Sequence, residues 1–510
     1  MFSKVFSFGI NGLDTYPVTI EVDVSPGLPL TIIVGLPDNA VKESKERVRA
    51  AIKNSGYKYP LGRVTVNLSP ADTKKEGPSF DLAIALGLLS ASDQIPKLPL
   101  EGFLFLGELS LDGTIQPAKG ILPIITSLKG FSPKGILIPY HNIHEASITQ
   151  MDKIYPVKTL SEAVHTVSSS DDISPLPPRV IEHLICPPQN EPDFAEVKGQ
   201  SAVKRALEIA AAGSHNILLI GPPGSGKSML ARRIPSILPD MTFEEIMEIT
   251  KIHSVAGLVD SAIGYIKKRP FRSPHHTTSS AAIVGGGSYP KPGEVTLSHN
   301  GVLFLDEFPE FNRNVLEALR QPMEDHFVTI SRAAKTLKFP AKFMLVCAMN
   351  PCPCGFFSDS RRKCTCTQPQ VQKYMSKISG PLLDRIDLHI EVPSLTTMEM
   401  LSRPSSETSA SIKERTVSAR KIQEKRFTGS GIFANAFMSH RQIAKYCPLA
   451  EESKNLLKAA IEQLGISARA HDKIIKLART IADLSHKDEI LPEHIAEAIQ
   501  YRSLDRNWWG

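Results

Sequence analysis

The pattern of apolar and polar positions predicts one compact unit, built from strands and helices, over about the first 165 residues. β-Branched residues recur at alternate positions in 17–24 and 31–34, which predicts two strands. Between Asn39 and Ser55, apolar residues return at helical spacing while charged residues occupy the other face, which predicts an amphipathic helix. The segment Phe80–Ser90 is apolar on nearly every side and therefore predicts a buried helix.

The rest of the chain divides into three segments. Residues 168–193 contain six prolines, too many for regular structure, and predict a linker. Strand and helix patterns alternate over 194–394 and predict an α/β core, while the pattern over 395–510 predicts a helical lid. The sequence therefore predicts an α+β domain over 1–167, a linker, an α/β core and a lid.

Composition narrows the class of protein. Hydrophobic residues make up 42% of the chain and charged residues 22%, which is typical of soluble globular proteins. Lys and Arg total 59 against 53 for Asp and Glu, and this net charge of +6 permits a nucleic-acid partner without arguing for one. No stretch of about 18 apolar residues is free of charge, so we expect no membrane span. The first residues lack the apolar core of a signal peptide, and we expect a cytoplasmic protein.

The strongest candidate site is a glycine-rich run between a predicted buried strand and a predicted helix. It fits the pattern G-x-x-x-x-G-K-[ST] and comprises Gly221, Pro222, Pro223, Gly224, Ser225, Gly226, Lys227 and Ser228. In such a loop, backbone N–H groups surround phosphate oxygens and the helix N-terminus adds its positive dipole end. We expect Lys227 to reach the β- and γ-phosphates and Ser228 to ligate Mg²⁺. The alternative is a glycine-rich turn at the start of a helix.

A second acidic strand accompanies this loop. The segment Gly301–Glu307 is apolar and ends in two carboxylates. We expect Asp306 to hold the Mg²⁺ shell and Glu307 to orient the attacking water. The predicted reaction is hydrolysis of a nucleoside triphosphate.

Three further residues stand in segments that resemble the AAA+ class of ATPases. Asn350, which follows an apolar strand, resembles the sensor-1 residue near the γ-phosphate, and Arg469 resembles sensor 2. Arg385 resembles an arginine finger, which would make oligomerisation a condition of catalysis. A salt bridge from Arg385 to Asp384 or Asp387 is the alternative, and whether Arg469 acts on its own or a neighbouring subunit stays open.

About eighty residues separate the glycine-rich loop from the acidic strand. An insertion at this place resembles the AAA+ branch that contains magnesium-chelatase motor subunits and MCM helicases. Six cationic or titratable side chains in it would suit DNA phosphates, namely Lys267, Lys268, Arg269, Arg272, His275 and His276. A solvated basic loop is the alternative. The segment 412–427 carries six Lys or Arg against two Glu, and could contact DNA, a neighbouring subunit or only solvent.

Four cysteines crowd an insertion over 347–366. They form two C-x-C pairs separated by nine residues, Cys352 with Cys354 and Cys364 with Cys366. Four thiolates at this spacing predict a structural Zn²⁺ site with no open position for water. Reduced cysteines in a turn are the alternative.

The N-terminal domain resembles Lon-type proteases, which share the fold of ribosomal S5 domain 2. Ser79, within Glu76–Leu82, stands where these proteases carry their nucleophile, and Leu122 stands where they carry the catalytic lysine. A leucine cannot activate a serine. The resemblance therefore implies a degenerate protease fold used for binding or assembly, although Lys119 leaves peptidase activity of Ser79 open.

Together these motifs resemble the ComM/YifB family of magnesium-chelatase-like ATPases along nearly the whole chain. The resemblance implies an AAA+ P-loop core with a helical lid, use of ATP and Mg²⁺, and a homo-hexamer. It also implies single-stranded, duplex or branched DNA as the partner, with branch migration or helicase activity during homologous recombination in natural transformation. The rival functions are a metal-chelatase motor subunit and an ATP-dependent Lon-like protease.

Overall fold

The strands and helices of the protein come from a computed structural model that describes residues 1–96, 100, 102–128, 133–169, 173–179, 192–287, 291–332, 335–357, 359, 362–395, 399, 407–464 and 467–502. In chain order the strands of these residues are β1 Phe2–Asn11, β2 Asp14–Ser25, β3 Leu30–Val34, β4 Arg63–Ser69, β5 Phe103–Phe105, β6 Glu108–Leu109, β7 Ile115–Gln116, β8 Gly135–Pro139, β9 Ile154–Val157, β10 Ile217–Ile220, β11 Phe271–Arg272, β12 Gly285–Gly286, β13 Lys291–Pro292, β14 Val302–Leu305, β15 Phe327–Arg332, β16 Lys335–Pro340, β17 Met344–Met349 and β18 Leu388–Glu391. The helices are α1 Asn39–Asn54, α2 Asp81–Ala91, α3 Ile121–Ser127, α4 Ile143–Ser147, α5 Leu160–Ser168, α6 Ser201–Gly213, α7 Lys227–Ala231, α8 Ile234–Ile237, α9 Phe243–Ala256, α10 Ser280–Val284, α11 Glu294–Leu297, α12 Arg313–Ala318, α13 Arg320–Asp325, α14 Gln368–Met375, α15 Gly380–Leu383, α16 Ser409–Arg426, α17 His440–Tyr446, α18 Glu451–Leu464, α19 Ala468–Leu484 and α20 Pro492–Gln500. They form two compact units, Met1–Cys186 with Thr242–Lys267, and Pro187–Met241 with Lys268–Gly510.

The first unit contains a seven-stranded mixed sheet in the order β3-β4-β2-β1-β5-β8-β9. The predicted amphipathic helix is confirmed as α1, and it begins where the Asp38 side chain accepts the N–H of Val41. The predicted buried helix is confirmed as α2, in which every residue is buried. An element that is apolar on every side can be stable only inside a core, and α2 packs on β1 and β2.

A helix that follows the glycine-rich loop in the chain also belongs to the first unit. The sequence pattern places 242–267 in the α/β core, but α9 packs against α3. The buried carboxylate of Glu145 accepts hydrogen bonds from the backbone N–H of Leu122 at 2.9 Å, from Asn142 Nδ2 at 2.9 Å and from the Ser254 hydroxyl on α9. Burial raises the pKa of Glu145. This long-range contact, which no local pattern reveals, accounts for the difference.

The second unit is built on a five-stranded sheet in the order β11-β14-β17-β10-β18, and every neighbouring pair in it is parallel. β10, β14 and β17 are buried along their whole length, as strands covered on both faces must be. The predicted α/β core is therefore confirmed.

The predicted helical lid contains α16 to α20, and its apolar residues are continuous with the core beneath it. Ile217 of the sheet and Ile474 of the lid belong to the same buried cluster. The predicted cationic helix is α16, and three of its arginines have partners in this unit. Arg415 pairs with Glu208 and Glu407, Arg420 donates to the Ser214 hydroxyl, and Arg426 pairs with Asp483.

Two further expectations concern the linker and a membrane-spanning helix. Of the predicted linker over 168–193, residues 170–172 and 180–191 lie outside the described residues. Within the described ranges, no helix combines the length and the apolar character that a bilayer crossing requires.

Candidate functional site

The candidate site lies at one edge of the parallel sheet of the second unit. The glycine-rich loop follows β10, Asp306 follows β14 and Asn350 follows β17. These three strands are neighbours and run in the same direction, so the residues after their carboxyl ends meet at the same edge. The sheet order thus brings together segments that are far apart in sequence.

The ammonium group of Lys227 lies inside the glycine-rich loop. Its Nζ donates to the carbonyls of Gly221 at 2.7 Å and Pro222 at 2.9 Å, and to Asn350 Oδ1 at 3.2 Å. Burial lowers the pKa of Lys227 to about 8, and Asp306 partly opposes that shift. Phosphate oxygens would offer this cation stronger acceptors than backbone carbonyls, because ionised acceptors bind cations more tightly.

Ser228 and Asp306 form the second contact across the edge. The Ser228 hydroxyl donates to Asp306 Oδ2 at 2.6 Å, and Asp306 Oδ1 accepts the backbone N–H of Glu307 at 3.0 Å. Mg²⁺ prefers hard oxygen ligands, and adjacent ligands in an octahedral shell lie about 3 Å apart. A hydroxyl and a carboxylate oxygen at this separation therefore fit a Mg²⁺ ion.

Glu307 follows in an uncommon backbone conformation. Its φ is +52°, in the left-handed region that residues other than glycine seldom adopt. Its side chain is 61% exposed, and its Oε2 lies 3.2 Å from Nδ1 of His276. A solvent-accessible carboxylate next to the proposed phosphate and metal ligands has the position needed to orient a water molecule.

Sequence reasoning missed Gln200, whose side chain donates a hydrogen bond to the backbone of the glycine-rich loop. Its Nε2 donates to the carbonyls of Ser225 at 2.6 Å and Pro393 at 3.3 Å. Gln200 is buried and has a φ of +55°. No local motif identifies it, because its partners lie far away in the sequence.

The two arginines with proposed phosphate contacts share one carboxylate. Arg385 forms an ion pair with Glu324, and Arg469 Nη2 lies 3.6 Å from the same Glu324 Oε1. The bond from Arg385 lowers the pKa of Glu324. Both arginines line a cavity of about 440 Å³. Among the residues that the structure describes, none from the glycine-rich loop lines this cavity.

The alternative partners of Arg385 have other contacts. Asp387 is buried, and Lys473 on α19 forms an ion pair with its Oδ1, while His215 Nδ1 lies 3.6 Å from its Oδ2. Burial opposes ionisation of Asp387, but Lys473 and His215 outweigh that effect and lower its pKa. Asp384 Oδ1 lies 3.9 Å from Arg502 Nη2. Arg385 therefore forms a salt bridge, but its partner is Glu324 and not the expected Asp384 or Asp387.

The four predicted ligand cysteines come together. The sulfur atoms of Cys352, Cys354, Cys364 and Cys366 all lie within 4.8 Å of one another. Cys352 Sγ is 3.3 Å from Cys354 Sγ and 3.7 Å from Cys364 Sγ, and Cys354 Sγ is 3.5 Å from Cys364 Sγ. Four thiolates around a tetrahedral zinc are about 3.8 Å apart, given a zinc–sulfur bond of about 2.3 Å. The set therefore fits Zn²⁺, while Cys347 lies in β17 and belongs to the core.

The cysteine loop lies directly against the glycine-rich loop. A Cβ built on Gly355 would stand 2.4 Å from Pro223 Cδ, and the φ of Gly355 is +85°. Only glycine can occupy this position without displacing one of the two loops. The geometry of the cysteine loop is therefore linked to that of the phosphate-binding loop.

The six residues expected to contact DNA have different surroundings. Arg269 donates to the carbonyls of Pro239 at 2.7 Å and Asn300 at 2.8 Å, and Arg272 pairs with Glu294. His275 Nδ1 lies 2.9 Å from the Thr277 hydroxyl, and His276 contacts Glu307 as described. Lys267 and Lys268 are exposed. Lys267 Nζ lies 6.0 Å from the centroid of the Tyr265 ring.

A second cationic element was missed by sequence reasoning. β15 and β16 form an antiparallel hairpin whose backbone register places residue 332 opposite residue 335 at the turn end, and Lys338 and Lys342 follow in the chain. The alternation of Val328 and Ile330 with Thr329 and Ser331 could have indicated this strand.

The remaining expectation concerns Ser79 of the first unit. Ser79 is partly exposed, whereas Leu122 is fully buried and its backbone N–H donates to Glu145 Oε1 at 2.9 Å. Lys119 packs against Gly257 at the end of α9, where a built Cβ would lie 2.7 Å from Lys119 Cε. A cation at a helix C-terminus is favourable. This is a structural reason for Lys119 that needs no catalytic role.

Comparison with protein families agrees with the site. The family described as magnesium chelatase, subunit ChlI, matches residues 193–400. Its C-terminal part, described as magnesium chelatase, subunit ChlI C-terminal, matches residues 406–502. A further family, described as subunit ChlI of Mg-chelatase, matches residues 20–142.

Individual relatives cover almost the whole chain. Competence protein ComM of Haemophilus influenzae is 43% identical over 508 residues, 98% of this chain and 97% of its own. YifB of Escherichia coli is 41% identical over 507 residues, 97% of this chain and 96% of its own. Lon protease 2 of Bacillus subtilis is 33% identical over 129 residues, 25% of this chain and 22% of its own, in keeping with a Lon-like N-terminal domain. With its parallel sheet and glycine-rich loop, the chain belongs to the ComM/YifB family of magnesium-chelatase-like AAA+ ATPases.

Proposed function

We propose that the protein is an ATP-hydrolysing motor subunit that assembles into a hexamer and moves branched DNA. In this proposal it promotes branch migration or helicase activity during homologous recombination in natural transformation, and it works in the cytoplasm. The observation that carries the proposal is the meeting of Lys227, Asn350 and Ser228–Asp306 at one sheet edge. Membership of an AAA+ family supports the same conclusion.

The site residues divide the proposed reaction among themselves. Lys227 and the loop N–H groups would hold the phosphates, Ser228 and Asp306 would hold Mg²⁺, and Asn350 would contact the γ-phosphate. When bound, Mg²⁺ would neutralise charge on the β- and γ-phosphates. Glu307 would orient the water, Arg385 would act on the ATP of a neighbouring subunit, and Arg469 would be a further phosphate contact.

DNA as the partner rests on two supports. A relative that matches this chain over 97% of its own length is named a competence protein. The second unit also carries exposed cations, among them Lys268, and the basic hairpin of β15 and β16. Cations on projecting loops bind the DNA backbone irrespective of sequence.

The decisive test of this proposal is the ATPase rate with and without single-stranded, duplex and branched DNA over a salt series. Strong stimulation by branched DNA that weakens as salt rises would support the motor, because phosphate contacts release counterions. Absence of stimulation by every DNA would contradict it.

The same preparation separates the two rivals. A purified chain that remodels branched DNA without partner proteins would exclude a chelatase subunit that needs its partners. Persistence of a casein-type substrate over hours with ATP would exclude the protease. Degradation of that substrate would instead assign catalysis to Ser79.

We propose that the cysteine cluster binds structural zinc, and we expect one zinc ion per chain by metal analysis. Cys364→Ser is expected to lose the metal and to weaken ATP binding, because the cysteine loop rests on Pro223. Structural zinc in small sites contributes on the order of 10 kcal/mol to folding, so the loop should lose its shape. Cys447→Ser, outside the cluster, is the control and should keep its zinc. Wild-type protein that contains no zinc and binds ATP with normal affinity would contradict the proposal.

The double variant Lys267→Ala/Lys268→Ala is expected to weaken binding of duplex DNA at every sequence alike. Each lost phosphate contact should also reduce the salt slope of binding by about one. Binding measured by fluorescence anisotropy over a salt series gives both quantities. Lys458→Ala, an exposed lysine of α18, is the control. An unchanged salt slope in the double variant would remove the two lysines from the DNA surface.

A further inference from the structure

The contact between His276 and Glu307 is the polar interaction of the site that the ATPase assignment leaves unused. His276 Nδ1 lies 3.2 Å from Glu307 Oε2, and the imidazole is 30% exposed against 61% for the carboxylate. β11 precedes His276 by four residues and pairs in parallel with β14, which precedes Glu307. Two adjacent strands therefore deliver the histidine and the carboxylate to the same edge of the sheet.

The imidazole is held in place by its surroundings. The ring of His275 stacks on it at a centroid distance of 4.1 Å and an angle of 34°, and the ring of Phe311 meets it edge-on at 6.4 Å and 81°. Further back, Arg272 at the end of β11 is fixed by its ion pair with Glu294 on α11. The ring contacts and the anchored strand leave the imidazole little freedom to move.

Glu307 needs such a partner more than most carboxylates do. Its side chain is long and largely exposed, and a free glutamate of this kind samples many rotamers. Its backbone has the left-handed φ of +52°, which directs the side chain away from the path of a regular strand. A base whose carboxylate is not held near the attacking water loses the benefit of proximity.

We infer that His276 is a positioning residue for ATP hydrolysis. In this role Nδ1 of the imidazole, 3.2 Å from Glu307 Oε2, holds that side of the carboxylate and leaves Oε1 to accept from the water. His276 touches neither ATP nor water in this role, and it acts only through the carboxylate. The inference rests on the proposed ATPase function and adds a residue to that site.

The atom that makes the contact gives a sharp test. An asparagine places its Nδ2 close to the position of Nδ1, whereas a glutamine places its Nε2 one bond further out, near the position of Nε2 of the ring. His276→Ala is therefore expected to lower kcat about tenfold with little change in KM for ATP. His276→Asn should recover more of kcat than His276→Gln, although both remove the ring.

The experiment measures steady-state ATP hydrolysis by the full-length chain, together with ATP affinity and the thermal midpoint. Ser273→Ala, at an exposed position of the same segment between β11 and α10, is the control and should keep the wild-type kcat within about twofold. A wild-type kcat in His276→Ala would overturn the inference, and so would equal losses in the Asn and Gln variants. If alanine destabilises the chain, the comparison of Asn with Gln still decides. If the wild-type chain hydrolyses no ATP, the proposed function fails and this inference fails with it.

Discussion

ATP hydrolysis by the Glu307→Gln variant is expected to fall at least about a hundredfold while ATP binding is retained. A carboxamide has almost the same size as a carboxylate but cannot accept a proton from water. Strand movement on branched DNA should stop for the same reason, and DNA binding should largely survive. ATPase rate, ATP affinity and junction migration, measured on one preparation, test each part.

Two further variants sharpen this result. Lys227→Ala should also abolish hydrolysis but should lose ATP affinity as well, because Lys227 is the buried cation inside the loop. Glu310→Gln is the matched control, since Glu310 lies three residues along the chain and pairs with Lys377 at 3.0 Å. Normal junction migration by Glu307→Gln or Lys227→Ala would show that the motor site is assigned wrongly.

Removal of the Arg385 guanidinium is expected to have a comparably large effect. Arg385→Ala should lower ATP hydrolysis about a thousandfold if the arginine completes the site of the neighbouring subunit. Within the chain, both Arg385 and Arg469 contact Glu324. Mixing two inactive variants provides the measurement.

In mixed assemblies, an Arg385→Ala subunit keeps its own loop and Glu307, and a Glu307→Gln neighbour can supply the missing arginine. Hydrolysis should therefore reappear in the mixture although each variant alone is inactive. Glu324→Gln controls for the loss of the ion pair itself. If Glu324→Gln reproduces the whole defect and mixing restores nothing, Arg385 has a structural role.

Local patterns were sufficient for much of the site and the fold. The glycine-rich loop, the acidic strand and the paired cysteines are short motifs. Each could be predicted because its residues lie within one short segment of the sequence. Helices α1 and α2 were predictable because their apolar spacing is set by residues within the same segment. Asn350 reaches Lys227 because both follow strands that pair with each other.

Partner choice could not be read in the same way. Arg272, Arg385 and Arg420 are equally cationic in the sequence, yet their partners differ. Arg272 pairs with Glu294, 22 residues away, and Arg385 pairs with Glu324. Arg420 donates to Ser214, 206 residues away. Tertiary packing, rather than local spacing, decides whether a cation faces solvent. His276 was predicted to face DNA, and in the structure its Nδ1 lies 3.2 Å from Glu307 Oε2, a contact that no local pattern indicates.

The first unit is discontinuous in sequence, and this limits which truncations of the protein can fold. The chain passes between the two units after residues 186, 241 and 267, so the N-terminal part is not an appendage on one tether. A truncation that begins at residue 187 would retain α9, with its buried Ile246, Ile249 and Ile252, but not α3, against which it packs. Such an exposed apolar stripe favours aggregation. Loss of the N-terminal part therefore requires a matching internal deletion of 242–267, and its gain requires a matching insertion. A simple terminal deletion or fusion provides neither.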